Sequence, residues 1–287
     1  MATKLTPSLK HLLTLRNPNP LPSPSYAHLR KVLASTYQDA QAKDAETGWL
    51  VLSTCTLLTL NRPPTLSHLW NFVAETDGGE ADRQLALPLA VNRAAIMREA
   101  ALKSTIFVGV PRVILSLAAF HDALDDEVKQ QLRSVSRRDP APDTAARGRA
   151  LWDSIYAPFE QKLHDKLGSY HPDFISFIIQ AYGSVLSPLP GSKRMFGDES
   201  MNDDPDQGNL SQALGSVVGV ACLRAEERVI PQLTSHVFGL LKARHLKNQN
   251  GEDVWLSSDE GAAWVLRTID AIVEGVASEG PVEKSKL

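Results

Sequence analysis

Beyond Pro24, apolar side chains recur at intervals of three and four residues over long runs, while the two-residue alternation of half-buried strands is almost absent. That pattern predicts an all-α protein. Helices are expected over 26–42, 45–60, 66–75, 85–108 and 113–124, and again over 149–167, 172–186, 210–228, 232–245 and 258–276. Gly109 closes the 85–108 helix, and Pro111 opens the next one at a position where its missing amide hydrogen costs nothing. Between the two sets, Arg137, Arg138, Asp139, Pro140 and Pro142 leave 134–148 without an apolar face, as a linker would be. Residues 188–207 form a long polar loop in this reading, and 248–253 a polar turn. The longest apolar run, Leu50 to Leu60, contains Ser53, Thr54, Thr56 and Thr59 and is shorter than the roughly 20 residues that span a bilayer, so no membrane span is expected.

The two sets echo one another. Pro64-Thr65-Leu66-Ser67-His68 matches Pro231-Gln232-Leu233-Thr234-Ser235-His236, with one residue inserted. Each copy follows a long apolar helix and opens a short amphipathic one. The chain is accordingly divided into an N-terminal flexible segment 1–25, a first helical half 26–133, the linker 134–148, a second, related half 149–276 packed with the first, and a flexible tail 277–287. Coincidence between two proline-started helices is the alternative.

Composition narrows the partners. A chain of 287 residues that is 43% hydrophobic can fill a core without disulfides or a structural metal. Thirty basic and thirty-three acidic side chains leave a net charge of −3, with no basic field to hold nucleic acid or an anionic membrane surface. Cys55 and Cys222 lie far apart in apolar helical stretches, as free thiols acting as small hydrophobes do in a reducing compartment. The acidic run Asp198, Glu199, Asp203, Asp204 and Asp206 lacks the glycine and distal glutamate of a calcium loop, so a solvated loop is expected and neither metal nor cofactor.

The ends carry address-like patterns. Ser285-Lys286-Leu287 matches the tripeptide that a peroxisomal import receptor captures, through the terminal carboxylate, the basic side chain and the apolar last residue. Lys4-Leu5 and His11-Leu12 match the N-terminal peroxisomal signal, although Pro7 would disturb its helix. The first 38 residues contain no acidic side chain, which also resembles a mitochondrial presequence. An unstructured lead-in through Pro18, Pro20, Pro22 and Pro24 is the plainer alternative.

Arg98-Glu99-Ala100-Ala101-Leu102 and Phe107-Val108-Gly109-Val110-Pro111-Arg112 resemble the helix–turn–helix signature of the carboxymuconolactone decarboxylase family. Gln232-Leu233-Thr234-Ser235-His236-Val237-Phe238-Gly239-Leu240 resembles that family's central helix, the one bearing its active-site histidine. With the terminal tripeptide, the chain is similar to fungal peroxisomal, two-half members of the alkyl hydroperoxidase D-like superfamily. The resemblance implies that helical fold, homo-oligomers, and sites between helices or subunits. It departs from the peroxidase branch where a Cys-x-x-Cys pair would precede the histidine. Val229 and Gln232 stand there, so dithiol peroxidase chemistry is not expected.

His236 is the leading catalytic candidate, because an imidazole can carry a proton in decarboxylation or lactone chemistry. Gln232 lies one turn before it on the same face, and Ser235 is adjacent. Packing at a helix contact is the competing use of Ser235 and His236. His68 beside Ser67 is the first-half counterpart, either a second site or a remnant. Arg112 is a candidate for binding a substrate carboxylate, or a tie for a loop. No acidic partner for His236 is evident, since Glu226 and Glu227 are placed at the end of the preceding helix. Trp152 with Tyr156, and Tyr182 with Gly183, are expected as core packing. The leading expectation is a lyase or hydrolase acting on a small organic acid or lactone, with a pocket beside His236. Its competitors are a non-catalytic helical assembly or binding protein and, behind both, a peroxidase working through Cys222.

Overall fold

The computed structural model describes residues 5–16, 19–75, 85–138 and 143–278. The terminal tripeptide Ser285-Lys286-Leu287, Lys4, and residues Asp139, Pro140 and Pro142 of the expected linker lie outside them. Among the described residues all regular structure is helical, and no described helix is long and apolar enough to cross a membrane. The first part of the chain forms α1 (Pro7–Leu13), α2 (Tyr26–Gln41), α3 (Glu46–Thr59), α4 (Pro64–Glu75), α5 (Leu87–Val108), α6 (Val110–Ala123) and α7 (Asp126–Gln131). The second part forms α8 (Thr144–Tyr156), α9 (Glu160–Tyr170), α10 (Pro172–Ala181), a π-helical turn (Tyr182–Leu186), α11 (Gln212–Glu226), α12 (Ile230–Ala243), α13 (Gly251–Leu256) and α14 (Asp259–Ser278).

The centre is set by α3 and α11, which are apolar on every side and therefore buried on every side. Of the hydroxyls that interrupt the apolar run of α3, three donate to carbonyls one turn back, Thr54 to Leu50, Thr56 to Leu52 and Thr59 to Cys55, and enter the core satisfied, whereas the buried Ser53 hydroxyl has no hydrogen-bond partner. The two helices pack directly on each other, and α3 also meets α14 while α11 meets α5. A single hydrophobic core consequently runs through both expected halves. A satellite cluster built from α8, α10 and the π-helical turn, with Leu151, Trp152, Ile155, Ile179 and Tyr182, packs beside it through Ile106 and Phe107 of α5.

Several expected boundaries shift for identifiable reasons. The expected 149–167 helix is two helices, broken after Tyr156 because Pro158 holds the residue before it, Ala157, in an extended conformation, and begun earlier, at Thr144. Pro7 does not disrupt α1 but starts it, with the Thr6 hydroxyl accepting from the Leu9 amide. The expected turn at 248–253 contains the start of α13, capped by the Asn250 side chain. The acidic loop is not simply solvated: Asp198, Asp204 and Asp206 accept from the backbone amides of Met195, Asp206 and Ser192, and Phe196 inserts into the main core. At the linker's described edge, Arg138 makes a two-pronged contact to Glu99, at 2.5 and 3.2 Å.

Candidate functional site

The π-helical turn decides which way Tyr182 points. Its defining bond runs from the Ser187 amide to the Tyr182 carbonyl, 2.7 Å, five residues apart. Two features hold it in place. Gly148 of α8 and Gly183 cross so closely that a Cβ on Gly148 would lie 1.8 Å from the Ile179 carbonyl oxygen, and one on Gly183 1.7 Å from that of Thr144. On the other side the buried Lys103 ammonium donates to the carbonyls of Val185, Leu186 and Ser187, at 2.9, 2.8 and 3.3 Å. Burial pushes its pKa down to about 8.

So placed, the Tyr182 hydroxyl sits 3.5 Å from Nε2 of His236 and 3.2 Å from the hydroxyl of Tyr156. The His236 ring stands edge-on to Phe107, 5.1 Å between centroids, and to Tyr156, 6.4 Å. Its opposite edge lies against Gly219 of α11, where a Cβ would come within 2.7 Å of Nδ1. Burial lowers the pKa of His236 to about 4, so the imidazole is neutral at physiological pH. A neutral ring has one accepting nitrogen, and with Nε2 in that role Tyr182 donates to it. Burial, with Tyr156 alongside, raises the Tyr182 phenol well above its usual range and keeps the donor protonated.

Beside the ring, between α8, α10 and α12, is a groove of about 420 Å³. Its walls are aromatic and aliphatic, and its polar positions are Tyr156, Tyr182, Gln232, Ser235 and His236. Among the described residues no charged side chain lines it. Gln232 is exposed at the rim. Ser235 is half-buried, with its hydroxyl donating to the Pro231 carbonyl at 3.1 Å.

Of the residues singled out from sequence, the structure brings Gln232, Ser235 and His236 to this groove and leaves His68 and Arg112 elsewhere. His68 is half-buried on α4 with its ring 5.6 Å from that of Tyr26, and its buried Nδ1 has no hydrogen-bond partner. Neighbouring Ser67 donates to the Ala119 carbonyl. Arg112 ties three helices together by donating to the Thr59 carbonyl at 3.0 Å and to the Glu226 carboxylate at 2.5 Å. Sequence reasoning missed Tyr182 and Tyr156 as partners of His236, having looked for a carboxylate. The aromatic pair was visible, and Trp152 and Tyr156 do stack at 4.1 Å, but their approach to a histidine on α12 depends on tertiary contacts.

The two cysteines differ from expectation. Packing of α3 on α11 brings the Cys55 and Cys222 thiols into contact, with the Ser104 hydroxyl 3.3 Å from Cys55 Sγ. Both are completely buried, and burial pushes the Cys55 thiol well above its usual range. Cys222 shifts the other way: burial raises its pKa, but hydrogen bonds from Cys55, Ser104 and Thr59 outweigh that and lower it, so its complete burial in the closed fold is what keeps reagents from it. No protein-family model, curated protein or solved structure matches the chain.

Proposed function

We propose that this protein binds a small, largely apolar molecule in the groove between α8, α10 and α12, and acts on it by proton transfer through His236. The supporting observation is the neutral imidazole at the wall of a groove of about 420 Å³, linked to a Tyr182–Tyr156 hydroxyl chain. That volume falls within the range of roughly 300–1,000 Å³ usual for small-ligand sites. An imidazole of low pKa is a modest base, so the bond to Tyr182 has a role: as Nε2 takes a proton, the hydroxyl turns its lone pair to the new N–H. A carbonyl or lactone oxygen fits beside Gln232 and Ser235 at the rim.

The carboxymuconolactone-decarboxylase-like reading belongs to the same proposal. In its favour, the helix carrying Gln232, Ser235 and His236 lines the groove, and the packing is reciprocal. Helix α3 contacts α4 and α5 as α11 contacts α12 and α14, and the partners cross over, α14 to α3 and α5 to α11. Self-association and peroxisomal import through Ser285-Lys286-Leu287 are further parts of it. Sedimentation reads the first, and microscopy of an N-terminally fluorescent chain with and without the tripeptide reads the second.

Metabolite profiles of a deletion strain and a His236→Ala strain test catalysis directly. Matching profiles are expected. A wild-type profile in the point mutant removes proton transfer and leaves a binding protein, the reading favoured by the absence, among the described residues, of a carboxylate partner for the imidazole.

A further inference from the structure

The groove beside His236 adjoins another at α12. It shares Tyr156, Leu163 and Ser235 with a second groove of about 570 Å³ between the α8–α9 connection, α9 and α12. The two arms differ in charge. Among the described residues the inner arm has no charged lining side chain, whereas the outer arm is lined by Lys162, Lys166 and Lys242 and by no acidic one.

The three lysines are not equivalent. Lys242 is already committed, donating to the carbonyls of Ile155 and Ala157 at 2.6 Å each, and Glu160 lies within electrostatic reach of it. Lys162 and Lys166 are one turn apart on α9, on the same face and exposed to solvent. Two ammonium groups on one rim of an apolar trough are the complement of a molecule with a greasy body and an anionic end.

We infer that the substrate class of the site is an anionic amphiphile, whose apolar body lies along His236 and whose carboxylate rests on Lys162 and Lys166. This rests on the groove proposed above as the functional site and adds the polarity and direction of its occupant. A neutral apolar ligand leaves the outer arm's charge unused, and a cationic one is repelled by it. An acid whose head entered the inner arm would bury a carboxylate with no cation beside it, among the described residues, and would lose its hydration without compensation.

Isothermal titration calorimetry of the full chain with decanoate, decanol and decylammonium tests this. Decanoate should bind more tightly than decanol, and decylammonium more weakly than either. In Lys162→Gln/Lys166→Gln the decanoate affinity should fall about fivefold or more, as expected for losing two solvent-exposed charge pairs, while that for decanol stays unchanged. Raising salt from 50 to 500 mM should weaken decanoate binding in the wild type and much less in the double variant. A Ser235→Trp variant fills the junction between the arms and should abolish decanoate binding while its circular dichroism matches the wild type. Equal affinity for decanoate and decanol, or undiminished decanoate binding in the lysine variant, overturns the inference. Failure of the catalytic reading is distinguishable, because His236→Ala then has a wild-type metabolic profile while decanoate still binds in a lysine-dependent way.

Discussion

The short helix α13 supplies what the central helix α3 lacks. Helix α3 begins after Ala45, which has no side chain to cap the free amides of the first turn. Glu252 reaches across from α13, and its carboxyl accepts from the Gly48 amide at 2.6 Å and from the Thr47 hydroxyl. Burial drives its pKa up to about 7, helped by the nearby charges of Asp253 and Glu46 and opposed by those two hydrogen bonds. A carboxyl whose pKa is higher folded than unfolded holds its proton more tightly in the native state. Its contribution to stability is therefore complete below about pH 4.5 and lost as pH rises through about 7. The interval between 4.5 and about 7 corresponds to about 3 kcal/mol. Glu252→Gln keeps an oxygen for Gly48 and removes the charge. Its stability relative to wild type should be near zero at pH 4.5 and rise to about 3 kcal/mol at pH 8. Urea unfolding at intervals across that range measures the difference, in which the contribution of titrating groups not coupled to Glu252 cancels. Glu252→Ala, which loses the cap, should instead be destabilised by about 1–2 kcal/mol at pH 4.5. A Gln-minus-wild-type difference that is flat with pH, or that grows toward acid, refutes the reasoning.

Other variants test the site and its supports. His236 has the opposite sign: its folded pKa lies below the unfolded one, so its stabilising share is present above about pH 6.5 and is lost as pH falls through about 4. His236→Phe should accordingly flatten the acid side of the unfolding profile, and an unchanged acid limb would contradict the burial. Gly219→Ala should cost about 1–3 kcal/mol through overpacking and press the imidazole toward Tyr182, seen as a shift in the His236 ring resonances. Unmoved resonances would count against the close approach. Lys103→Met should cost about 2–4 kcal/mol, because it strips donors from three buried carbonyls, and hydrogen exchange should quicken first in 182–187. Cys55 and Cys222 should react with a disulfide reagent only at the rate of unfolding; labelling within seconds in buffer would mean the core admits it.

How much could be read beforehand follows from where the physical information resides. Long apolar helices were legible, since α3, α5 and α11 are dictated by local spacing and length. The helix α13 was not, because Glu252 and Asp253 look like a polar turn until one knows that both face inward, Glu252 to α3 and Asp253 to Ser211 at the head of α11. His236 was found as a histidine on an amphipathic helix. Its surroundings were not, because Tyr182 is 54 residues away and reaches it only through a widened turn held by Lys103. The cysteines show the same limit: sequence separates them widely, and only the packing of α3 on α11 makes them neighbours.

The widened turn has a bearing on comparisons between chains of this kind. A π-helical turn accommodates one residue more than an α-helix covering the same rise, and that extra residue rotates everything on one side of it relative to the other by about 100°. A relative one residue shorter between Ala181 and Ser187 would run straight through as α-helix. Its tyrosine, though aligned with Tyr182, would then face away from the imidazole. Counting residues across those few positions thus sorts relatives into those that couple a phenol to the histidine and those that leave the ring to act alone.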